Sequence, residues 1–171
     1  IWEGGMSFHG GLLGVIFATY IFSKKNNINS FLFLDLISMS APIGIFLGRI
    51  ANFINSELYG RTTDLFWGVK FEKIDNLIRH PSQLYEAFLE GILLFIFLNY
   101  FSKKYKNRLN GFTSSLFLII YSLFRFLIEF TREPDTQLGY FFDFLTMGQL
   151  ISIVFLIFGL VLFYKKNEIQ K

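Results

Sequence analysis

Several ionisable residues lie in segments of the sequence that are otherwise apolar. Arg125 and Glu129 fall in the run 112–131, and Tyr121 and Arg132 continue the same spacing of three or four residues. Residues at these intervals share one face of a helix. Because a guanidinium can bind a phosphate or a carboxylate through paired hydrogen bonds, this face predicts either an anion site or an internal ion pair that only neutralises its helix.

Other apolar runs carry polar residues near the same end, and only Asp35 falls at the opposite end. They are His9, Arg49, Asn52, Glu86 and Glu90. An ionisable group at the centre of a membrane helix costs roughly 2.5–3.5 kcal/mol on insertion scales, so each one needs a reason. We interpret the set as a polar cavity open to one leaflet. Two simpler interpretations stay open: Arg49 could extend its charge to the interface, and His9 could be an ordinary helix-end histidine.

The composition indicates that lipid surrounds most of the chain. Of the 171 residues 53% are hydrophobic and 17% are charged, and the mean hydropathy is +0.46, whereas charged residues make up about a quarter of soluble proteins. The absence of cysteine excludes a disulfide framework and a cysteine nucleophile, so any thiol chemistry must use a thiol from the substrate. The net charge of +3 is too small to indicate nucleic-acid binding.

Five apolar runs are about long enough to cross a bilayer, which needs roughly 20 residues. They cover residues 4–22, 31–54, 84–101, 112–131 and 147–164. The predicted fold is therefore all-α, a polytopic membrane protein with a single transmembrane domain over residues 1–171. A signal peptide is excluded for the first run because Lys24 and Lys25 follow it rather than precede it.

The basic clusters follow the first, third and fifth runs, and they predict the orientation. Alternating helices place these clusters on one face, which the positive-inside rule makes cytoplasmic. The loop 55–83, the segment 132–146 and the polar ends then face outward.

Local sequence patterns predict where two of the helices begin and where a third is kinked. Pro81 suits the first turn of the third, and Thr146 with Gln149 predicts a capping box that opens the fifth. Pro42 predicts a kink in the second run, where Gly44 and Gly48 would allow another helix to approach closely.

Two functional classes remain open on this reasoning. One is a lipid-processing enzyme in which Arg49, Arg125 and Arg132 hold an anionic head group and His9 or a glutamate moves a proton. The other is a transporter or channel subunit whose buried charges line a path. A path needs polar residues through the whole membrane, and here they become sparse toward the cytoplasmic side, so the enzyme is favoured.

Four sequence blocks carry a family resemblance. The run from Gly48 to Arg61, GRIANFINSELYGR, closely resembles the signature of the bacterial prolipoprotein diacylglyceryl transferases. The blocks GGMSFHGG at 4–11, RHPSQLYE at 79–86, and 121–135 together with TMGQ at 146–149 resemble further blocks of the same family, in the same order. The resemblance covers nearly the whole chain.

The resemblance implies an enzyme of about seven helices. Such enzymes move the diacylglyceryl group of phosphatidylglycerol onto the lipobox cysteine thiol of a prolipoprotein and release glycerol 1-phosphate, at the outer face of the bacterial inner membrane, with no cofactor or metal. The chain starts at Ile1 and would be the C-terminal two-thirds of the enzyme, preceded in the family by about two helices and an arm with an Arg-Trp-Tyr-Gly-like segment. Whether this chain is active alone is therefore open.

The resemblance also assigns roles to residues of this sequence. It implies that Arg49 and Arg125 are essential arginines that hold the phosphatidylglycerol head group, that His9 is a candidate base, and that Tyr121 belongs to the catalytic set. The remaining positions matched as phosphatidylglycerol-binding are Asn52, Glu57, Gly60, Glu129 and Arg132.

Overall fold

The computed structural model describes residues 8–105, 110–133, 140–141 and 145–168, and it describes side chains over 14–105, 110–133 and 145–165. The described residues form five long helices, which cover Phe8–Lys25 (α1), Ser30–Asn55 (α2), Ser82–Lys104 (α3), Phe112–Ile128 (α4) and Met147–Glu168 (α5). Three described segments are long and apolar enough to cross a membrane, namely Ser30–Asn55, Ser82–Lys104 and Met147–Lys165, and Phe112–Ile128 is a shorter apolar helix. The predicted all-α polytopic membrane fold is confirmed.

Successive helices alternate in direction. Ser102, near the end of α3, donates a hydrogen bond to the sulfur of Met39 in the first half of α2. The rings of Phe112, at the start of α4, and Phe163, near the end of α5, lie 5.7 Å apart. The basic last turns of α1 and α3 therefore lie at the end of the bundle where α2 and α4 begin, which we call the basic end.

A side chain from α2 caps the start of α4. The residue before α4 is Gly111, which has a φ of 97° and no side chain with which to cap the free amides. Asp35 of α2 takes this role: its carboxylate accepts hydrogen bonds from the Gly111 amide at 2.9 Å and from the amide and hydroxyl of Ser114 at 2.8 and 2.9 Å. The one ionisable residue predicted inside an apolar run at this end is thus buried as a helix cap.

The predicted start signals hold for α5 and shift by one residue for α3. The Thr146 amide donates to Gln149 Oε1 at 3.1 Å, and the Gln149 amide donates to Thr146 Oγ1 at 3.3 Å, which confirms the capping box. Pro81 is the residue immediately before α3 rather than part of its first turn.

The close approach of α2 to α3 is not where the sequence pattern placed it. Among the described residues, a Cβ atom added to Gly44 or Gly48 would meet nothing within 4 Å, so α3 does not approach α2 closely at these two glycines. The contact is made by Gly91, where an added Cβ would lie 2.7 Å from the Cβ of Phe46. Pro42 lies inside α2, and the helix continues through it.

At the end of the bundle opposite the basic end, the loop between α2 and α3 and the segment between α4 and α5 meet in one layer, which we call the loop layer. Between α2 and α3 the strands Val69–Lys70 (β1) and Ile78–Arg79 (β2) pair antiparallel, and Tyr140–Phe141 (β3) pairs with Leu145–Thr146 (β4) before α5. An isolated bridge links Gly60 to Arg132. A Cβ at Gly60 would lie 2.5 Å from the carbonyl oxygen of His80 and 2.6 Å from that of Thr131, so this crossing requires glycine.

Candidate functional site

The carboxylate of Glu86 lies at the centre of a cluster of arginines. Glu86 is fully buried in the first turns of α3. Its Oε2 lies 2.5 Å from Arg49 Nε of α2, and its Oε1 lies 3.0 Å from Arg125 Nη1 of α4 and 3.1 Å from Arg132 Nη1. One buried carboxylate therefore gathers three cations from two other helices and the segment that follows α4.

Glu129 extends this cluster to the start of α5. Its Oε2 lies 2.9 Å from Arg125 Nη2 and 3.8 Å from Arg132 Nε, and its Oε1 accepts a hydrogen bond from the Thr146 hydroxyl at 3.0 Å. Gly148 makes room for it, because a Cβ there would lie 2.6 Å from the carboxyl carbon. The Arg125–Glu129 pair exists, but Arg125 also binds Glu86, so neutralising its own helix is only part of its role.

Arg49 points into the helix bundle and not toward the membrane interface. Its side chain is 19% exposed and is paired with Glu86, with Glu90 at 3.9 Å from its Nη2. It therefore faces the cluster, and the interpretation that it extends to the interface was wrong.

A π-helical stretch in α3 begins directly after Glu86 and contains the second glutamate of the site, Glu90. The helix is π-helical over Ala87–Leu93, which includes Glu90 and Gly91. Glu90 is fully buried and, among the described residues, neither of its carboxylate oxygens accepts a hydrogen bond. Such single π turns often mark functional sites. Gly91 brings this stretch against α2 at Phe46, one helical turn from Arg49.

Three other residues predicted for the site make no ion pair with the cluster among the described residues. Tyr121 is half-buried one turn before Arg125, and its ring stacks on Phe117 at 5.5 Å. Asn52 is half-buried, and its carbonyl accepts the Glu57 amide at 2.8 Å. The Glu57 side chain is exposed. A catalytic role for Tyr121 and lipid binding by Asn52 and Glu57 stay predictions.

Glu57 and Gly60 shape the layer through their main chains. The Glu57 carbonyl accepts a hydrogen bond from Gln83 Nε2 at 2.6 Å, and the Gly60 carbonyl accepts one from Arg79 Nη1 at 3.2 Å. Gln83 is fully buried, so these bonds fix α2 and its loop to the start of α3. Lipid binding by Gly60 also stays a prediction.

Arg79 holds together the loop layer. Its Nη2 lies 2.7 Å from Asp75 Oδ2, its Nη1 lies 3.2 Å from Glu133 Oε2, and its guanidinium lies 4.7 Å from the centre of the Tyr59 ring. The hydrogen bond from Arg79 lowers the pKa of Asp75 below its ordinary value.

His9 lies in the first turn of α1, but its side chain is outside the described residues. Its role as a base stays a prediction. The sequence reasoning grouped Glu86 with the polar residues at this end and offered a glutamate only as a proton carrier, so it missed Glu86 as the common partner of three arginines and Thr146 as a partner of Glu129. The i, i+4 spacing of Glu86 and Glu90 beside a buried glycine was the available signal for the first. For Arg79 and Gln83, the only indication of a role was their place in the block RHPSQLYE at 79–86.

The arrangement can bind an anion. Arg49 and Arg125 are 19% and 15% exposed, while the carboxylate between them is fully buried. Guanidinium groups held in a water-poor site bind phosphate strongly and stabilise charge that develops on it. The fold and this cluster define a multi-pass membrane protein with a buried arginine–glutamate site at one end of its helix bundle.

Comparison with known proteins gives the family. A sequence model of the prolipoprotein diacylglyceryl transferase family matches residues 1–165, and the chain belongs to this family. It is similar to proteins named phosphatidylglycerol–prolipoprotein diacylglyceryl transferase: it is 53% identical to that of Rickettsia felis, over 97% of this chain and 64% of that protein. The relative from Rickettsia bellii is 54% identical over 96% of this chain and 63% of the relative, and the one from a Wolbachia of Culex pipiens 53% over 95% and 62%. The chain thus spans less than two thirds of the length of these relatives.

Proposed function

We propose that the protein transfers the diacylglyceryl group of phosphatidylglycerol to the lipobox cysteine thiol of a prolipoprotein, forming a thioether and releasing glycerol 1-phosphate. The observation that carries this proposal is that Arg49 and Arg125, from different helices, meet at the same buried carboxylate of Glu86 while part of each arginine side chain stays accessible. Family membership agrees with it.

The proposed reaction is a displacement at carbon. The cysteine sulfur attacks the glyceryl carbon that is bonded to the phosphate oxygen, and the bonding electrons of the C–O bond leave with that oxygen. The phosphate changes from a diester with one negative charge to a monoester with two. Arg49 and Arg125 stabilise this added charge because their positions are set before the reaction by Glu86 and Glu129.

The thiol must lose its proton to become a good nucleophile. An ordinary cysteine thiol has a pKa of about 8.5, so a base or a positive field is needed near neutral pH. We assign the base role to His9, whose helix begins at the membrane end opposite its basic last turn. The Tyr121 hydroxyl lies on the same helix, four residues before Arg125 and on the same face.

We place the reaction at the outer leaflet of the bacterial inner membrane. Lys24, Lys25, Lys103 and Lys104 lie in the last turns of α1 and α3, at the end away from the arginine cluster. The positive-inside rule makes that end cytoplasmic, which leaves the cluster facing outward. The transporter interpretation loses its one cytoplasmic-side charge, because Asp35 is consumed as a helix cap.

The test uses the full-length protein, expressed from its gene and purified in detergent. It is mixed with phosphatidylglycerol and a lipobox peptide, and the peptide mass is followed. We expect a mass gain equal to one diacylglyceryl group on the cysteine, and none with a Cys-to-Ser peptide or with phosphatidylcholine as the only lipid. The absence of any mass gain from folded protein would overturn the proposal and reopen the transporter interpretation.

A further inference from the structure

Glu90 is the member of the cluster whose charge is not matched by close partners. It is fully buried, and neither of its oxygens accepts a hydrogen bond from the described residues. Its closest guanidinium nitrogens, Arg49 Nη2 and Arg125 Nη1, lie at 3.9 and 4.0 Å. The same two arginines lie 2.5 and 3.0 Å from Glu86, so these N–H groups are directed at Glu86 and not at Glu90.

Within the described part of the chain, the ionisable groups that face Glu90 belong to the same site. Glu86 lies one turn before it on α3. Arg49 faces it from α2, Arg125 and Tyr121 from α4, and Arg132 from the segment that follows α4. No other ionisable residue of the described part forms an ion pair with this cluster.

The sum of charges determines which state of Glu90 fits an anionic ligand. Arg49, Arg125 and Arg132 contribute three positive charges, and Glu86 and Glu129 contribute two negative charges. With Glu90 ionised the cluster is neutral, and with Glu90 protonated it carries one positive charge. A phosphodiester carries one negative charge, so it is compensated only in the second state. An uncompensated charge is costly in a site with little water.

We infer that Glu90 takes up a proton when the phosphodiester head group of an anionic lipid binds to Arg49 and Arg125, and that it releases this proton when the lipid leaves. The inference rests on the proposed function in one respect, namely that the ligand is an anionic phosphodiester lipid. Glu90 is then a charge-compensating residue that acts through the two arginines. Affinity for the lipid falls as pH rises, because binding consumes a proton.

The experiment measures proton uptake directly and needs no transfer reaction. The gene-encoded protein in detergent is titrated with short-chain phosphatidylglycerol, without peptide, by calorimetry in two buffers of different ionisation enthalpy between pH 6 and pH 9. We expect uptake of about one proton per lipid bound and an affinity that falls by up to about tenfold per pH unit, as coupling to one proton requires. Phosphatidylcholine, which has no net charge, serves as the comparison lipid and should give no uptake.

Variants identify the residue. Glu90→Gln resembles the protonated form and should bind phosphatidylglycerol without proton uptake and with the same affinity across the pH range. Glu90→Asp keeps a titratable group and should keep the uptake. Glu72→Gln removes an exposed carboxylate from the outer loop and should behave as the wild type.

Two results would overturn the inference: wild-type binding of phosphatidylglycerol without proton uptake, or unchanged uptake in Glu90→Gln. The wild-type measurement decides even if Glu90→Gln does not fold. Failure of the proposed function is separate, because uptake without thioether formation contradicts only the function, and thioether formation without uptake contradicts only the inference.

Discussion

Arg49 Nε lies 2.5 Å from Glu86 Oε2, and this ion pair joins α2 to α3 inside the bundle. The same carboxylate binds Arg125 of α4 through its other oxygen, at 3.0 Å. Removing one partner of a buried ion pair leaves an uncompensated charge and typically costs about 3–5 kcal/mol. Glu86 therefore fixes the distance between the two arginines, and their spacing does not depend on a bound ligand.

Replacing Arg125 with lysine should abolish most transfer while the protein still folds. Arg125 binds Glu86 through Nη1 and Glu129 through Nη2, and a single ammonium cannot hold both carboxylates and a phosphate in that geometry. We expect the transfer rate to fall by about 100-fold or more. The measurement is the rate of peptide mass gain, with size-exclusion elution and helicity as checks of folding.

The matched control for this variant is Lys104→Arg, which exchanges the same two side chains at the basic end of α3. It should transfer at the wild-type rate. If Arg125→Lys also keeps the wild-type rate, Arg125 serves only to neutralise carboxylates.

Gly148→Ala should displace Glu129. An added Cβ would lie 2.6 Å from the Glu129 carboxyl carbon and from its Oε1, so the carboxylate must move away from Arg125 and Thr146. A displacement of about 1 Å in a positioned catalytic group can cost about 100-fold in rate, and we expect a loss of that order. The measurement is the transfer rate at saturating phosphatidylglycerol.

Gly44→Ala supplies the comparison, because an added Cβ at Gly44 meets no described residue within 4 Å. It should leave the rate unchanged. Equal activity of the two alanine variants would show that the position of Glu129 does not matter for transfer.

The helices could be predicted from the sequence because lipid imposes a simple rule of length and hydropathy. The run 31–54 became Ser30–Asn55, and the run 147–164 became Met147–Glu168. The capping box of Thr146 and Gln149 was also predictable, because both partners lie within one turn.

The contacts between helices could not be predicted in this way. A hydropathy pattern gives the depth of Glu86 in the membrane but not the rotation of α3 about its axis, which decides that its carboxylate meets Arg49 and Arg125. The same missing rotation explains why Gly44 was expected to contact a helix while Gly91 does so. The π-helical stretch has no recognised sequence signature.

Asp35→Ala should destabilise the protein without altering the site. The carboxylate satisfies the amides of Gly111 and Ser114 at the start of α4, at the end of the bundle away from the arginines. Loss of a helix cap costs about 1–2 kcal/mol. We expect a lower midpoint of thermal unfolding in detergent and, below that midpoint, wild-type transfer per folded molecule.

Asp35→Asn keeps an acceptor oxygen and should lose less stability than Asp35→Ala. Equal stability of the wild type and Asp35→Ala would contradict the capping role.

The contact between Asp75 and Arg79 should weaken only in acid. Arg79 lowers the folded-state pKa of Asp75 below the ordinary value of 3.8. The contact between Asp75 and Arg79 thus stabilises the loop layer fully above pH 3.8. This stabilisation is lost as pH falls through the lower folded-state pKa of Asp75. We expect amide hydrogen exchange in residues 60–80, corrected for its intrinsic pH dependence, to be constant from pH 7 to pH 5 and faster near pH 3.

Asp75→Asn tests the assignment, because it should show raised exchange at neutral pH and a weaker acid response. The effect should be small, since the aspartate is on the surface. An unchanged acid response in this variant would assign it to another group.

His9→Gln tests the base of the proposed transfer. A histidine base must be neutral to accept the thiol proton, and an ordinary histidine titrates near pH 6.5. The wild-type rate should therefore rise with pH through this range. Loss of a general base typically costs about 10²–10⁴ in rate, so His9→Gln should be slower by that order and should lack the rise.

The control for His9→Gln is His80→Gln, which removes the other histidine of the chain. His80 is half-buried, and its Nδ1 lies 3.3 Å from the Tyr85 hydroxyl. This contact contributes to the packing of the loop layer. This variant should keep the rise of rate with pH. If His9→Gln keeps both its rate and its pH profile, the thiol proton must go to another group.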